Sequence, residues 1–172
     1  MTRGDRALKS AATLFAVAVL FHGADHVRRG PHSTTAAVFW VGTSAILLEV
    51  SVVVLCCQRH RVAPLAATVG GFSLSVGYLV VHFLPRQPLL SDSFVSAAKV
   101  SWISWLAATL EVVSAVVLGV VGLVVMWDRG GLASAAQPWA DELTWRRAVS
   151  DPVALGMIAG NVAILVVSGA RW

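Results

Sequence analysis

The chain has 172 residues, of which 57% are hydrophobic and 13% charged. A soluble domain carries about 25% charged residues, so a water-facing surface cannot be built from this composition, and at roughly 20 residues per membrane span the length leaves no room for a separate soluble domain. The net charge of +4 does not mark a nucleic-acid binder, because the basic residues cluster at the ends of apolar runs, where they anchor helices and set orientation.

The first predicted span covers about residues 7–27. Its purely apolar part, 11–21, is short, and the helix reaches full length only by including His22, Gly23, Ala24, Asp25 and His26. Positive charge followed by an apolar run resembles a secretion signal. No small-x-small cleavage site follows, so the segment reads as a retained first helix. Arg28 to Ser33 holds Gly30 and Pro31 and predicts a break, after which Ser33 or Thr34 can cap the next helix.

The second predicted span, about 35–57, carries Glu49 and closes on Cys56 and Cys57. Adjacent cysteines do not readily meet disulfide geometry, so the pair reads as small apolar residues at a helix end. A polar turn, 58–61, leads to a third span of about 63–84, with Pro64 in its first turn, where the missing N–H costs nothing. Pro85 and Pro88 end it. The fourth span covers about 98–127, has its apolar core from Val100 onward, and carries Glu111.

Residues 128–151 form the only long polar segment. Trp139 and Trp145 lie among its charges, which fits either an amphipathic piece on the membrane surface or a plain loop. The last apolar run, 152–170, is interrupted only by Asn161 and reads as a fifth span. Its Gly156 and Gly160 have the small-xxx-small spacing that lets helices approach. The expected fold is therefore all-α: a polytopic integral membrane protein, a four-helix transmembrane bundle plus a fifth helix, forming one membrane domain over 1–172.

Orientation follows from the basic residues. Arg3, Arg6, Lys9, Arg59, Arg61, Arg129, Arg146 and Arg147 fall on the side of the N-terminus; Arg28, Arg29, Arg86, Lys99 and Arg171 fall on the other. The excess predicts a cytoplasmic N-terminus, a cytoplasmic 128–151 loop and a multi-pass protein of the cell inner membrane. Trp40, Trp102, Trp105 and Trp127 lie near span ends, as an aromatic belt requires. The preference for Arg over Lys, with abundant Ala and Val, suggests a GC-rich bacterial coding bias.

Functional interest lies in the polar residues that the spans contain. An ionisable group in hydrocarbon costs roughly 2.5–3.5 kcal/mol on insertion scales, so each needs a partner or a task. His22, Asp25, His26, Glu49, His82 and Glu111 are such groups, spread over the first four helices. His22 and His26 lie one turn apart on one face. Gly71, Ser75, Tyr78 and His82 form one stripe of the third helix; Ser104, Ala107, Ala108, Glu111, Ser114 and Ala115 one stripe of the fourth; and Gly42, Ala45 and Glu49 one stripe of the second. Small and polar residues sharing a stripe mark a face packed on other helices. Counting about 1.5 Å per residue from Trp40 and Trp102 sets Glu49 and Glu111 level and deep, with the histidines nearer the outer surface.

Three chemistries fit this pattern. His22, His26 and His82 make a three-nitrogen site with an open position, suited to zinc, copper or iron. Asp25 would orient an imidazole from behind, and Glu49, Glu111 and Tyr78 would tune the site, join it or relay protons. Haem b is the second candidate, with a first-helix histidine and His82 as axial ligands and Gly23 and Gly71 making space. A proton or small-solute path through an oligomer is the third. Against all three stands a structural role, with His–Glu pairs holding the bundle and Gly71, Gly156 and Gly160 packing helices, in a homo-oligomer or as an accessory subunit of a larger membrane complex docked through small-residue helix faces, Gly156 and Gly160, and the Trp-bearing 128–151 segment. The lipid bilayer is the expected partner. His32 and His60 read as solvated loop residues.

Overall fold

The computed structural model describes residues 1–30, 33–86, 91–97, 99–131 and 150–169. Their regular structure is helical, with no strand among the described residues. Helix α1, Arg3–Arg29, begins at a reciprocal cap: the Thr2 hydroxyl accepts from the Asp5 N–H at 3.1 Å, and the Asp5 carboxylate accepts from the Thr2 N–H at 2.9 Å. Two backbone donors that the first turn cannot satisfy internally are thereby paired. Arg28 and Arg29, expected in a loop, form its last turn. The carboxylate of Asp25, three and four residues earlier, holds both guanidinium groups on the helix. Gly30 then ends it at φ 89°, a backbone angle that glycine adopts without steric cost.

Helix α2, Ala36–Cys57, is capped by Thr35, whose hydroxyl accepts from the Val38 N–H at 3.2 Å; the expected caps, Ser33 and Thr34, lie ahead of it. Helix α3, Ala63–Tyr78, has Pro64 in its first turn. It continues as a wider π-helical turn, Leu79–Phe83, and stops at an extended Leu84 before Pro85, a residue that disfavours a helical neighbour before it. Helix α4, Trp102–Asp128, starts later than the sequence suggests. The residues ahead of it fold back over the end of α3 instead. The Asp92 N–H donates to the Val81 carbonyl at 3.1 Å and the Phe94 N–H to the His82 carbonyl at 2.9 Å. Helix α5, Pro152–Gly169, starts on Asp151, whose carboxylate accepts from the N–H of Val153 at 2.9 Å.

Helices α1, α2 and α4, and α3 with its π turn, are long and apolar enough to cross a membrane; α5 is shorter. Their outward side chains, among them Leu47, Val69, Val76, Val113 and Val124, are exposed and apolar, as contact with lipid requires. Trp40, Trp102 and Trp127 are exposed near the helix ends.

The tightest packing is between α3 and α4. A Cβ on Gly71 would come within 2.6 Å of the Ala115 carbonyl and the Gly119 nitrogen, and one on Gly122 within 2.7 Å of the Pro64 carbonyl. Backbone therefore touches backbone, the close approach that small residues permit. Gly160 of α5 meets the side chain of Leu20, but Gly156 faces open space. The buried stripe of α5 is Ala154, Met157 and Asn161, which turns Gly156 away from the bundle. Gly42 of α2 also faces open space and drops out of the packed stripe expected for it.

One end of the bundle gathers the start of α1, the end of α4 and the start of α5, tied by Asp5 to Arg129 at 2.7 Å and by Lys9 to Asp151. Above it lies a dry core of Leu8, Ala12, Phe15, Val52, Val53, Ala67, Leu74 and Leu118. Residues 132–149, with the expected amphipathic segment around Trp139 and Trp145, lie outside the described residues, as does His32.

Candidate metal centre

The opposite end of the bundle is polar and buried. His22 and His26 project from adjacent turns of α1, their rings stacked 4.7 Å apart at an interplanar angle of 6°. His82 reaches them from the π turn of α3. The extra residue in a π turn re-aims the side chains that follow, which is why such turns recur at functional sites. The His82 ring lies 4.7 Å from that of His22 and 5.8 Å from that of His26. One ring nitrogen from each histidine can be chosen so that all three lie within 4.8 Å of one another. His22 and His82 are buried, whereas the His26 side chain keeps 29% of its exposure and faces the way out.

Each imidazole has a distinct anchor. The Nδ1 of His22 is hydrogen-bonded to Glu111 of α4, and both side chains are buried. With Nδ1 donating to the carboxylate, a neutral ring carries its lone pair on Nε2. That Nε2 is buried with no hydrogen-bond partner. His82 Nδ1 donates to the Asp92 carbonyl at 3.3 Å, which likewise leaves its Nε2 as the lone-pair nitrogen. His26 differs, because its Nδ1 accepts from Arg29 Nη2 at 3.0 Å.

Below the imidazoles lie the two glutamates. The Tyr78 hydroxyl donates to Glu49, whose second oxygen is buried without a hydrogen-bond partner. Glu111 thus serves the histidines directly, while Glu49 is bonded to Tyr78 and not to an imidazole.

Asp25 does not take the place expected for it behind an imidazole. One of its oxygens accepts from Arg28 Nε at 2.8 Å and the other lies 3.3 Å from Arg29 Nε. Arg28 also donates to Ser101 Oγ at 3.1 Å and Ser104 Oγ at 3.0 Å, fastening α1 to the start of α4. The carboxylate on the histidine side is Asp92. One of its oxygens, Oδ2, lies 3.6 Å from His82 Nδ1 and 4.0 Å from His26 Nδ1. Arg29 grips both Asp92 oxygens, with Nη1 to Oδ1 at 3.0 Å and Nη2 to Oδ2. Burial pushes the Asp92 carboxyl up from its ordinary value, against the opposing pull of Arg29. Phe94 closes the cluster, its ring 4.7 Å from His82 and 5.1 Å from the Arg29 guanidinium.

Arg29, Asp92 and Phe94 escape a reading of spans because the apolar pattern assigns all three to loops or span ends. The i, i+3 and i, i+4 spacing of Asp25 with Arg28 and Arg29 is the available signal for the arginine. Nothing in the spacing ties Asp92 to His82, since the approach depends on how the chain turns back after α3. No family model, no curated protein and no solved structure matches this chain.

Proposed function

We propose that this membrane bundle binds a divalent transition-metal ion through His22, His26 and His82. The observation that carries the reading is the state of His22: its Nδ1 is fastened to Glu111 while its buried Nε2 has no hydrogen-bond partner. A carboxylate behind one imidazole nitrogen is the usual support of a metal-bound histidine, because it sets the tautomer and raises the basicity of the other nitrogen. A buried nitrogen without a partner otherwise carries a desolvation penalty of about 1–3 kcal/mol.

The spacing is compatible with this reading. Zn–N bonds of about 2.0–2.1 Å put tetrahedral ligand nitrogens about 3.3 Å apart. Nitrogens within 4.8 Å of one another reach that separation by side-chain rotation. Imidazole ligands suit zinc, copper and iron. Haem fits less well. A macrocycle between axial imidazoles must keep their rings well apart, whereas the His22 and His82 rings lie 4.7 Å apart with His26 and Phe94 against them. A path across the bundle also finds little support, because the core beneath the glutamates is apolar and closed.

The excess of basic residues on the N-terminal side supports a cytoplasmic N-terminus in the cell inner membrane, an orientation that would set the histidines at the outer face. Reporter fusions at the N-terminus and between α1 and α2 test that orientation.

The metal test is elemental analysis of protein purified in mild detergent. The expected result is about one ion per chain, as for a single three-histidine site, and its loss in the His22→Ala/His26→Ala double variant. Background metal in both proteins would overturn the reading, and a Soret band would return haem to first place.

A further inference from the structure

We propose that Asp92 is the fourth ligand of the ion, and that the guanidinium of Arg29 holds the ion's place until it arrives. The inference rests on the three-histidine reading and extends it.

The argument begins with the position of one nitrogen. Arg29 Nη2 is bonded both to His26 Nδ1, at 3.0 Å, and to Asp92 Oδ2. Those two acceptors are 4.0 Å apart. A cationic N–H group therefore sits between an imidazole lone pair and a carboxylate, which is the environment a metal ion seeks. The lone pair that His26 needs for coordination is the one Arg29 now occupies. An ion can bind all three histidines only if that contact is given up, and Asp92 then loses its Nη2 partner at the moment a dication comes within reach of Oδ2.

Charge favours the exchange. Asp25, Asp92 and Glu111 are three buried carboxylates, and Arg29 is the only fully buried guanidinium among the described residues. Arg28, with its side chain 41% exposed, is the other positive group beside them. Buried charges are tolerated when paired or bound to metal; with Arg28 on Asp25, one guanidinium is left for Asp92 and Glu111, so an ion at the histidines stands beside more negative than positive charge. Displaced Arg29 is not stranded, since its Nε already faces Asp25 at 3.3 Å. The hard carboxylate also restricts the cargo. Three imidazoles with one carboxylate oxygen suit a borderline dication such as Zn²⁺ or Co²⁺ better than the soft Cu⁺ ion.

Asp92 lies on the segment folded over the end of α3, so its transfer from Arg29 to the ion links that segment to metal occupancy.

Co²⁺ titration of detergent-purified protein, followed in the visible spectrum, tests the proposal. Wild type should give the intense bands of four-coordinate cobalt. The charge-neutral double variant Arg29→Gln/Asp92→Asn removes the ligand without leaving a buried charge unpaired. It should bind at least about tenfold more weakly than Arg29→Gln alone, the lower end of what is lost when even an outer support of a metal site is removed, with bands shifted from those of wild type as water replaces the carboxylate. Asp92→Glu should keep the wild-type spectrum. Arg29→Gln alone, purified with Co²⁺ present and read by chelator competition, should bind more tightly than wild type because the competitor is gone. Wild-type affinity and spectrum in the double variant would remove Asp92 from the site and leave the three histidines standing. Unchanged or weaker binding in Arg29→Gln would overturn the place-holding role. A wild-type protein that binds no Co²⁺ would remove both this inference and the metal reading beneath it.

Discussion

His22 on the first helix is hydrogen-bonded through Nδ1 to Glu111 on the fourth, while its Nε2 lies buried without a hydrogen-bond partner. The pair joins two helices that pack along much of their length. It also aims a lone pair at the space shared with His26 and His82. If the imidazole is a ligand, Glu111 acts through it, and its removal loosens the ring without removing a donor atom. Glu111→Ala should therefore weaken metal binding by about 10–100-fold, the range for such supports. Glu111→Gln keeps an acceptor for Nδ1 and should fall between that variant and wild type. Competition with a chelating dye in detergent measures both. Equal affinity in all three proteins would show that Glu111 is a strut and nothing more.

Much of this arrangement is legible in the sequence, for a physical reason. A span that needs His22, Asp25 and His26 to reach length announces them, because polar groups in hydrocarbon carry a penalty. Helical periodicity then turns His22, Glu49, His82 and Glu111 toward the interior, and all four are buried. Asp92 lies beyond that logic. Its approach to His82 depends on a reversing segment that pairs with the Val81 and His82 carbonyls, and backbone pairing of that kind leaves no periodic trace. Arg29 is hidden by its place at a span end, where basic residues usually meet water. Gly156 shows the opposite error, since a spacing motif says that two residues share a face without saying which face is packed.

Arg28 and Arg29 are neighbours in the chain with opposite exposures, and their loss should differ accordingly. The Arg29 side chain is fully buried between Asp25 and Asp92, whereas Arg28 keeps 41% of its exposure. Removing one member of a buried pair leaves an uncompensated charge and typically costs about 3–5 kcal/mol. Arg28 reaches the buried Asp25 from a side chain that still meets solvent, and Arg29 stays beside that carboxylate when Arg28 is lost, so removing Arg28 leaves no charge uncompensated. Arg29→Ala should thus lower the unfolding midpoint in detergent far more than Arg28→Ala, as followed by helical circular dichroism. Comparable losses would mean that Arg28, through Ser101 and Ser104, is the principal clasp at this end.

At the other end, Asp151 supplies a pH dependence of known sign. Partial burial pushes its carboxyl up, but Lys9 and the N–H groups of Val153 and Ala154 outweigh that push, and the net value lies below the ordinary 3.8. The folded protein then holds this proton less tightly than the unfolded chain. Its contribution to stability is complete above 3.8 and is lost as the pH falls through the lower, folded value. Thermal midpoints measured across the acid range should show a drop in wild type that is smaller in Asp151→Asn. An identical acid profile in the two proteins would separate the Lys9 contact from stability.

The glycines give a test in which the same substitution changes sign with position. Alanine is favoured over glycine inside a helix by about 1 kcal/mol, so Gly→Ala stabilises wherever the new methyl group finds room. At Gly156 nothing lies within 4 Å of the point where a Cβ would stand, and Gly156→Ala should raise the unfolding midpoint slightly. At Gly71 the methyl group would lie 2.6 Å from the backbone of Ala115 and Gly119, and at Gly122 it would lie 2.7 Å from that of Pro64 and Thr68. Backbone cannot step aside as a side chain can. Helices α3 and α4 must separate, and overpacking of this kind costs about 1–3 kcal/mol, more than the propensity gain returns. Gly160 lies between these cases, since it meets the terminal methyl of Leu20, which can rotate away. The expected order of midpoints is Gly156→Ala above wild type, Gly160→Ala near it, and Gly71→Ala and Gly122→Ala well below. Because α3 carries His82 and α4 carries Glu111, the last two should also bind metal more weakly. A Gly71→Ala protein with wild-type stability would show that α3 and α4 do not make this backbone contact.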